Sequence, residues 1–161
     1  MARLDRFKHA QASSFAGFAA ALEEIRAGGK RGHWIWYVFP QVRGLGTSGT
    51  SQTFAIDGEE EAAAFLRDPE LRSRILTITQ AVATQLRSGT PLRALMGSDV
   101  DAKKVVSSLT LFGAVAKTLH GTDGLDVYEV LAAAADDVLA LAARQGYPAC
   151  ALTRQRLGVA P

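Results

Sequence analysis

Residues 30–49 read KRGHWIWYVFPQVRGLGTSG. This stretch holds Lys30, Arg31, His33, Gln41 and Arg43, both tryptophans of the chain, Trp34 and Trp36, and the glycines Gly44, Gly46 and Gly49. Its apolar run, 34–39, fits a buried strand or a buried helical turn, because so short a run carries no decisive periodicity. Pro40 ends it in either case, having no amide proton to continue a ladder or a helix. The flanking sequence therefore decides the fold class.

Upstream, Leu4, Phe7, Phe15, Phe18, Leu22 and Ile25 lie close to helical spacing and predict helix over roughly residues 4–27. Ser13 or Ser14 is expected to cap a second segment, and Gly28-Gly29 to end it. Arg6 and Gln11 read as surface and capping groups, or as side chains reaching back to 30–49. Downstream, Thr53, Phe54 and Ile56 suggest a short extended piece. Asp57-Gly58 is a turn, and Glu59, Glu60 and Glu61 place acid in a first helical turn, where it complements the helix dipole. Glu61 is also a candidate partner for a basic group. Asp68-Pro69 breaks that helix and opens another, on which Leu71, Ile75, Ile78, Val82 and Leu86 form a core-facing stripe. Arg72 and Arg74 read as solvated charges.

Residues 88–91 form a loop, a short turn reaches Met96-Gly97, and Ser98 or Asp99 caps a helix that His120-Gly121 should end. On it Asp101, Lys104 and Ser108 share one face. A last helix over 125–145 buries Tyr128, Leu131, Ala135, Val138 and Leu141. Helix dominates, with no regular alternation of strands. We expect an all-α fold, a compact irregular bundle of about five to seven helices, as one domain over 1–145 with 146–161 as a C-terminal tail.

Composition narrows the function classes. The chain has 161 residues, 48% of them hydrophobic, which suits one core and excludes disorder. The net charge of +2 requires no broad nucleic-acid face, although a pI near 8.9 permits a local basic patch. The single cysteine, Cys150, rules out an intrachain disulfide and a cysteine-rich zinc site. His9, His33 and His120 lack metal-ligand spacing, so no metal and no cofactor are expected. No membrane span or signal peptide is evident, which makes the cytoplasm the expected location.

Gly29-Lys30, His33-Trp34, Trp36, Phe39-Pro40-Gln41, Gly44-Leu45-Gly46 and Ser48 together resemble the signature of the family called domain of unknown function 1810. Arg6-Phe7, Ala10-Gln11, Glu61-Ala62, Leu66, Pro69, Leu71, Asp101, Lys104 and the string 107–112 extend the resemblance over roughly residues 4–140. It implies a mainly helical single domain with no established activity. Near its end the chain departs from the family's D-x-x-T-L motif, offering Ala132 to Ala135, Asp136 and Asp137 without the threonine.

Several chemistries compete at residues 30–49. Residues 44–49 formally match GxGxxG, but a dinucleotide site needs a helix opening there within a βαβ unit, and neither is predicted. A Ser-His-Asp set could be composed from Ser107 or Ser108, His33 and Asp101, without a nucleophile elbow to support it. A small enzyme or binding protein for a phosphorylated or nucleotide-like molecule fits best. Lys30, Arg31 and Arg43 would hold the anion and Trp34 or Trp36 would stack. Gln41, Gly44, Gly46, Ser48 and Asp101 would complete the binding site, while His33, Lys104 or Ser108 would act catalytically. The alternative is a protein- or RNA-docking module, which requires an exposed apolar patch around Trp36 and Phe39.

Overall fold

Helix α8 (Asp99–Asp123) is the hub of the computed structural model, which describes residues 3–158. Its buried positions run from Ala102 to Leu119 around the whole circumference, so it is a central helix and not an amphipathic one. Ser98 caps it by accepting from the Asp101 amide at 3.1 Å. At Gly124 the chain turns into α9 (Asp126–Arg144), which lies along α8. The two helices approach closely at Gly113, where a Cβ would meet the Ala135 methyl at 3.1 Å.

The remaining elements surround this pair. Helices α1 (Asp5–Gln11) and α2 (Phe18–Arg26) form the N-terminal layer, and α2 packs on α6 (Pro69–Arg87). The expected stripe on α6 is buried from Leu71 to Leu86, and α6 also rests on α9. Helix α5 (Glu59–Arg67) packs on α8. Asp68 separates α5 from α6 and caps the latter by accepting from the amides of Glu70 and Leu71 at 3.0 and 3.1 Å. It also holds Lys8 at 2.6 Å.

Four further helices are single turns: α3 (Ile35–Val38), α4 (Gly49–Thr53), α7 (Leu92–Met96) and α10 (Ala151–Arg156). They raise the total among the described residues to ten, against the five to seven expected. A single turn is too short to show a period of 3.6 residues, so sequence periodicity passes over it. The open choice for WIWYVF resolves as helical turn α3, whose Tyr37 carbonyl accepts from buried Gln11 at 2.7 Å.

Other boundaries shift for local reasons. Ser13 covers the amides of Phe15 and Ala16 in the connecting turn, and Gly17 takes the cap position of α2. Helix α8 runs past His120-Gly121 to Asp123, because Gly121 keeps helical geometry. The extended piece shrinks to Ile56, which pairs with Val42 in an isolated parallel bridge, while Thr53 closes α4. Within the expected tail, α10 packs on α8, Thr153 is fully buried and the Cys150 amide donates to Thr110 Oγ1 at 3.1 Å. Residues 159–161 of that tail lie outside the described residues. No helix among the described residues is long and apolar enough to cross a membrane.

Asp68→Ala removes both the α6 cap and the partner of Lys8, and is expected to cost about 1–2 kcal/mol in urea unfolding with an unchanged m-value.

Candidate functional site

The site begins with the way residues 30–34 fold back onto α2. Gly28, with φ of 99°, ends that helix in the left-handed region and lets the chain reverse. Glu24 Oε1 then accepts from the Arg31 amide at 2.6 Å, the Gly32 amide at 2.8 Å and the Trp34 indole Nε1 at 3.0 Å. Burial pushes the Glu24 carboxyl up, but these three donors and the nearby Arg31 charge outweigh it, so its pKa falls below the ordinary value. The indole of Trp34 is fully buried by this clasp.

Lys30 crosses from the clasp to α8. Its amide donates to the Leu95 carbonyl at 2.7 Å, and its Nζ donates to the Gly32 carbonyl at 2.6 Å and pairs with Asp101 Oδ2 at 2.9 Å. The ammonium also lies 5.1 Å from the Trp34 ring centroid. With its side chain only 7% exposed, Lys30 is engaged on every side by the protein. Residues 30–49 and the Asp101 helix therefore meet in space. Asp101 faces a second cation less closely, Lys104 Nζ at 3.9 Å, and that ammonium sits 4.9 Å from the Trp36 ring centroid.

The glycine loop is filled by neighbouring side chains. Gly44, with φ of 106°, faces Arg156, whose Nη2 would lie 2.6 Å from an added Cβ. Arg156 Nη1 donates to the Arg43 carbonyl at 2.8 Å, and Arg43 pairs with exposed Asp57 at 2.6 Å. Gly46 abuts Ser51, and Ser48 caps α4 by accepting from the Ser51 amide at 3.1 Å. Beneath the loop an enclosed space of about 20 Å³, lined by Trp36, Gln41 and Ser51 among others, matches one water molecule in size. The buried Trp36 Nε1 has no acceptor among the described residues.

A much larger cleft opens beside it. Its volume is about 430 Å³, and it lies between Gln41 and Leu45 of the glycine loop, the α8 residues Val100, Lys103, Lys104, Val106 and Ser107, and Tyr147, Pro148 and Cys150. The third wall is fastened by Tyr147 Oη, which donates to Asp99 Oδ1 at 2.7 Å, while Lys103 meets the other Asp99 oxygen at 3.2 Å. The Tyr147 hydroxyl and Lys103 together hold Asp99 below its ordinary pKa. Burial pushes the Cys150 thiol up, yet the hydroxyls of Ser107 and Thr153 and the amides of Thr153 and Leu152 bring it below its ordinary value.

Of the expected residues, Lys104 and Gln41 line this cleft. Arg31 and His33 are exposed, and the His33 ring makes no hydrogen bond or ion pair among the described residues. Ser108 is fully buried, its hydroxyl without a partner among the described residues, whereas its neighbour Ser107 faces the cleft. With Asp101 held by Lys30, the Ser-His-Asp set is not assembled. Phe39 is 1% exposed, whereas Trp36 is half-buried with the Lys104 ammonium 4.9 Å from its ring centroid. Two groups expected to act as partners do so elsewhere: Arg6 pairs with Glu61 at 3.0 Å and donates to the carbonyls of Thr53 and Ala55, both at 2.9 Å. Leu45 and Ser107 stood inside recognised strings, but Glu24, Tyr147 and Cys150 carried no local signal. At the turn between α8 and α9, donor atoms of His120, Asp126 and Glu129 lie within 4.8 Å of one another, and nothing beyond proximity marks them as a metal site.

A protein-family model described as "Protein of unknown function (DUF1810)" matches residues 1–132. The chain is also similar to the conserved hypothetical protein Rv1873 from Mycobacterium tuberculosis, known from its crystal structure. The two share 35% identity over 97% of this chain and 96% of that one, with a TM-score of 0.74. No curated protein matches. The family match takes in the glycine loop and α8 but stops before Tyr147 and Cys150.

Glu24→Gln replaces the acceptor of three hydrogen bonds with a weaker one and is expected to lower stability at pH 7 by about 1–3 kcal/mol in urea unfolding. A depressed folded-state pKa contributes stability that is complete above the unfolded value, near 4.5, and lost as pH falls through the folded value. The gap between wild type and Glu24→Gln should therefore narrow as unfolding is repeated toward pH 3.

Proposed function

Since the chain belongs to the DUF1810 family of proteins of unknown function, we propose that it binds a small phosphorylated or nucleotide-like molecule in the cytoplasm, in the cleft beside Lys104. The observation that carries this reading is the convergence of both sequence motifs on one cavity. Gln41 and Leu45 come from the glycine loop, and Lys104 and Ser107 from α8. A volume of about 430 Å³ lies within the usual range for small-molecule sites, which are largely apolar with a few convergent polar groups.

The roles follow from chemistry. Lys104 and Lys103 receive the anionic group, and Lys104 is the stronger partner because it is held against Trp36, whereas Lys103 is exposed and paired with Asp99. Ser107 and Gln41 supply neutral hydrogen bonds. Leu45, Tyr147 and Pro148 offer apolar surface to a base or another flat group. Lys30 and Trp34, engaged inside the fold, shape the site without touching the ligand. Reassigning the anion from Lys30, Arg31 and Arg43 to the α8 lysines keeps the ligand class and moves its seat. The burial of Phe39 counts against the docking-module alternative, which asks for an exposed patch there.

A thermal-shift screen of nucleotides, ADP-ribose and sugar phosphates tests the proposal. A ligand at a hundred times its dissociation constant should raise Tm by about 5–10 °C. Lys104→Met should abolish that shift, and a shift that persists in the variant would overturn the assignment.

A further inference from the structure

The charges beside the cleft form a row: Lys30, Asp101, Lys104. Asp101 turns Oδ2 to Lys30 at 2.9 Å, while its Oδ1 stays 3.9 Å from Lys104. The first distance is a charge-assisted hydrogen bond and the second lies beyond hydrogen-bond reach. Lys30 is 7% exposed, and its side chain is held by the Gly32 carbonyl and the Trp34 ring as well. Lys104, 17% exposed, is turned instead to the Trp36 ring and the cleft.

Asp101 and Lys104 stand one turn apart on α8, a spacing at which a carboxylate and an ammonium readily pair. Of the two ammonium groups, Lys30 has the closer hold on the carboxylate. Building on the cleft reading above, we infer that Lys30 is a positioning residue for the ligand's anion: by saturating Asp101 it leaves the Lys104 charge free to face the cleft. The three groups together carry one net positive charge, and the geometry puts it on the cleft side.

Without Lys30, Asp101 has an uncompensated charge within easy reach of Lys104. Closing a gap of about 1 Å by side-chain rotation would neutralise the anion receptor in place. Removing Asp101 as well would take away the competitor and restore Lys104 to the ligand.

The experiment is calorimetric titration of the full chain with inorganic pyrophosphate, for wild type, Lys104→Met, Lys30→Met, Asp101→Asn and Lys30→Met/Asp101→Asn, each checked for folding by thermal melting. Lys104→Met and Lys30→Met should each weaken binding by about tenfold or more. The double variant should return to within about threefold of wild type, and Asp101→Asn should bind at least as tightly as wild type. If Lys104→Met loses binding but Lys30→Met does not, or the double variant stays weak, the inference about Lys30 is overturned and the cleft reading stands. If wild type fails to bind, or Lys104→Met binds as wild type does, both are overturned. Should Lys30→Met not fold, Lys30→Gln takes its place, with the same outcomes supporting or overturning the inference.

Discussion

The loop after α2 is anchored through Lys30, whose amide donates to the Leu95 carbonyl and whose ammonium pairs with Asp101 in the first turn of the central helix, and the position of nearly every group at the site depends on that backbone anchor. The ion pair itself brings little net stability, because desolvation offsets the attraction, and removing Lys30 leaves the Asp101 charge to seek another partner. Registry comes from the backbone bond, which the side-chain pair reinforces. With Lys30 Nζ 2.9 Å from Asp101 and the Lys30 amide on the Leu95 carbonyl, the loop can take only one position along α8. The Glu24 clasp fixes the same loop from the other side by holding two amides and an indole on one carboxylate oxygen.

From that registry the rest of the site follows by packing. Trp34 is driven into the core, α3 starts directly after it, and Trp36 emerges where Lys104 covers it. The chain then leaves α3 through Pro40 and Gln41 to form the glycine loop, pinned by the Val42 to Ile56 bridge and by Arg156 on the Arg43 carbonyl. Segment 146–150 closes the cleft from the far side through Tyr147 on Asp99 and the Cys150 amide on Thr110. Both other walls are thus referred to α8, which is buried around its whole circumference from Val105 to Gly113.

How much of this could be read in the sequence depended on the range of the interaction. The helical class, the α6 stripe, the Asp68-Pro69 break and the Ser98 cap are local properties and were legible. Single-turn helices α3, α4, α7 and α10 were not, because a period needs more than one turn to show. Lys30, Asp101 and Lys104 were recognisable as important, but their partition into a close pair and a longer contact is a matter of distances that only the fold sets. Ser107 and Ser108 illustrate the limit: adjacent in one string, they lie about 100° apart on the helix, and only Ser107 faces the cleft. Glu24 was hidden for the opposite reason, since a glutamate near a helix end looks like any solvated charge until its loop folds over it. Tyr147 and Cys150 lay in a stretch that its glycine, proline and length made look like a tail.

Amide chemical-shift mapping locates the ligand directly. In ¹⁵N-labelled protein titrated with pyrophosphate, binding in the cleft requires the largest changes at Gln41, Leu45, Lys104, Ser107 and Tyr147, with Arg31 and His33 unmoved. Changes concentrated at Arg31, His33 and the Glu24 clasp, or no saturable change at all, would contradict it.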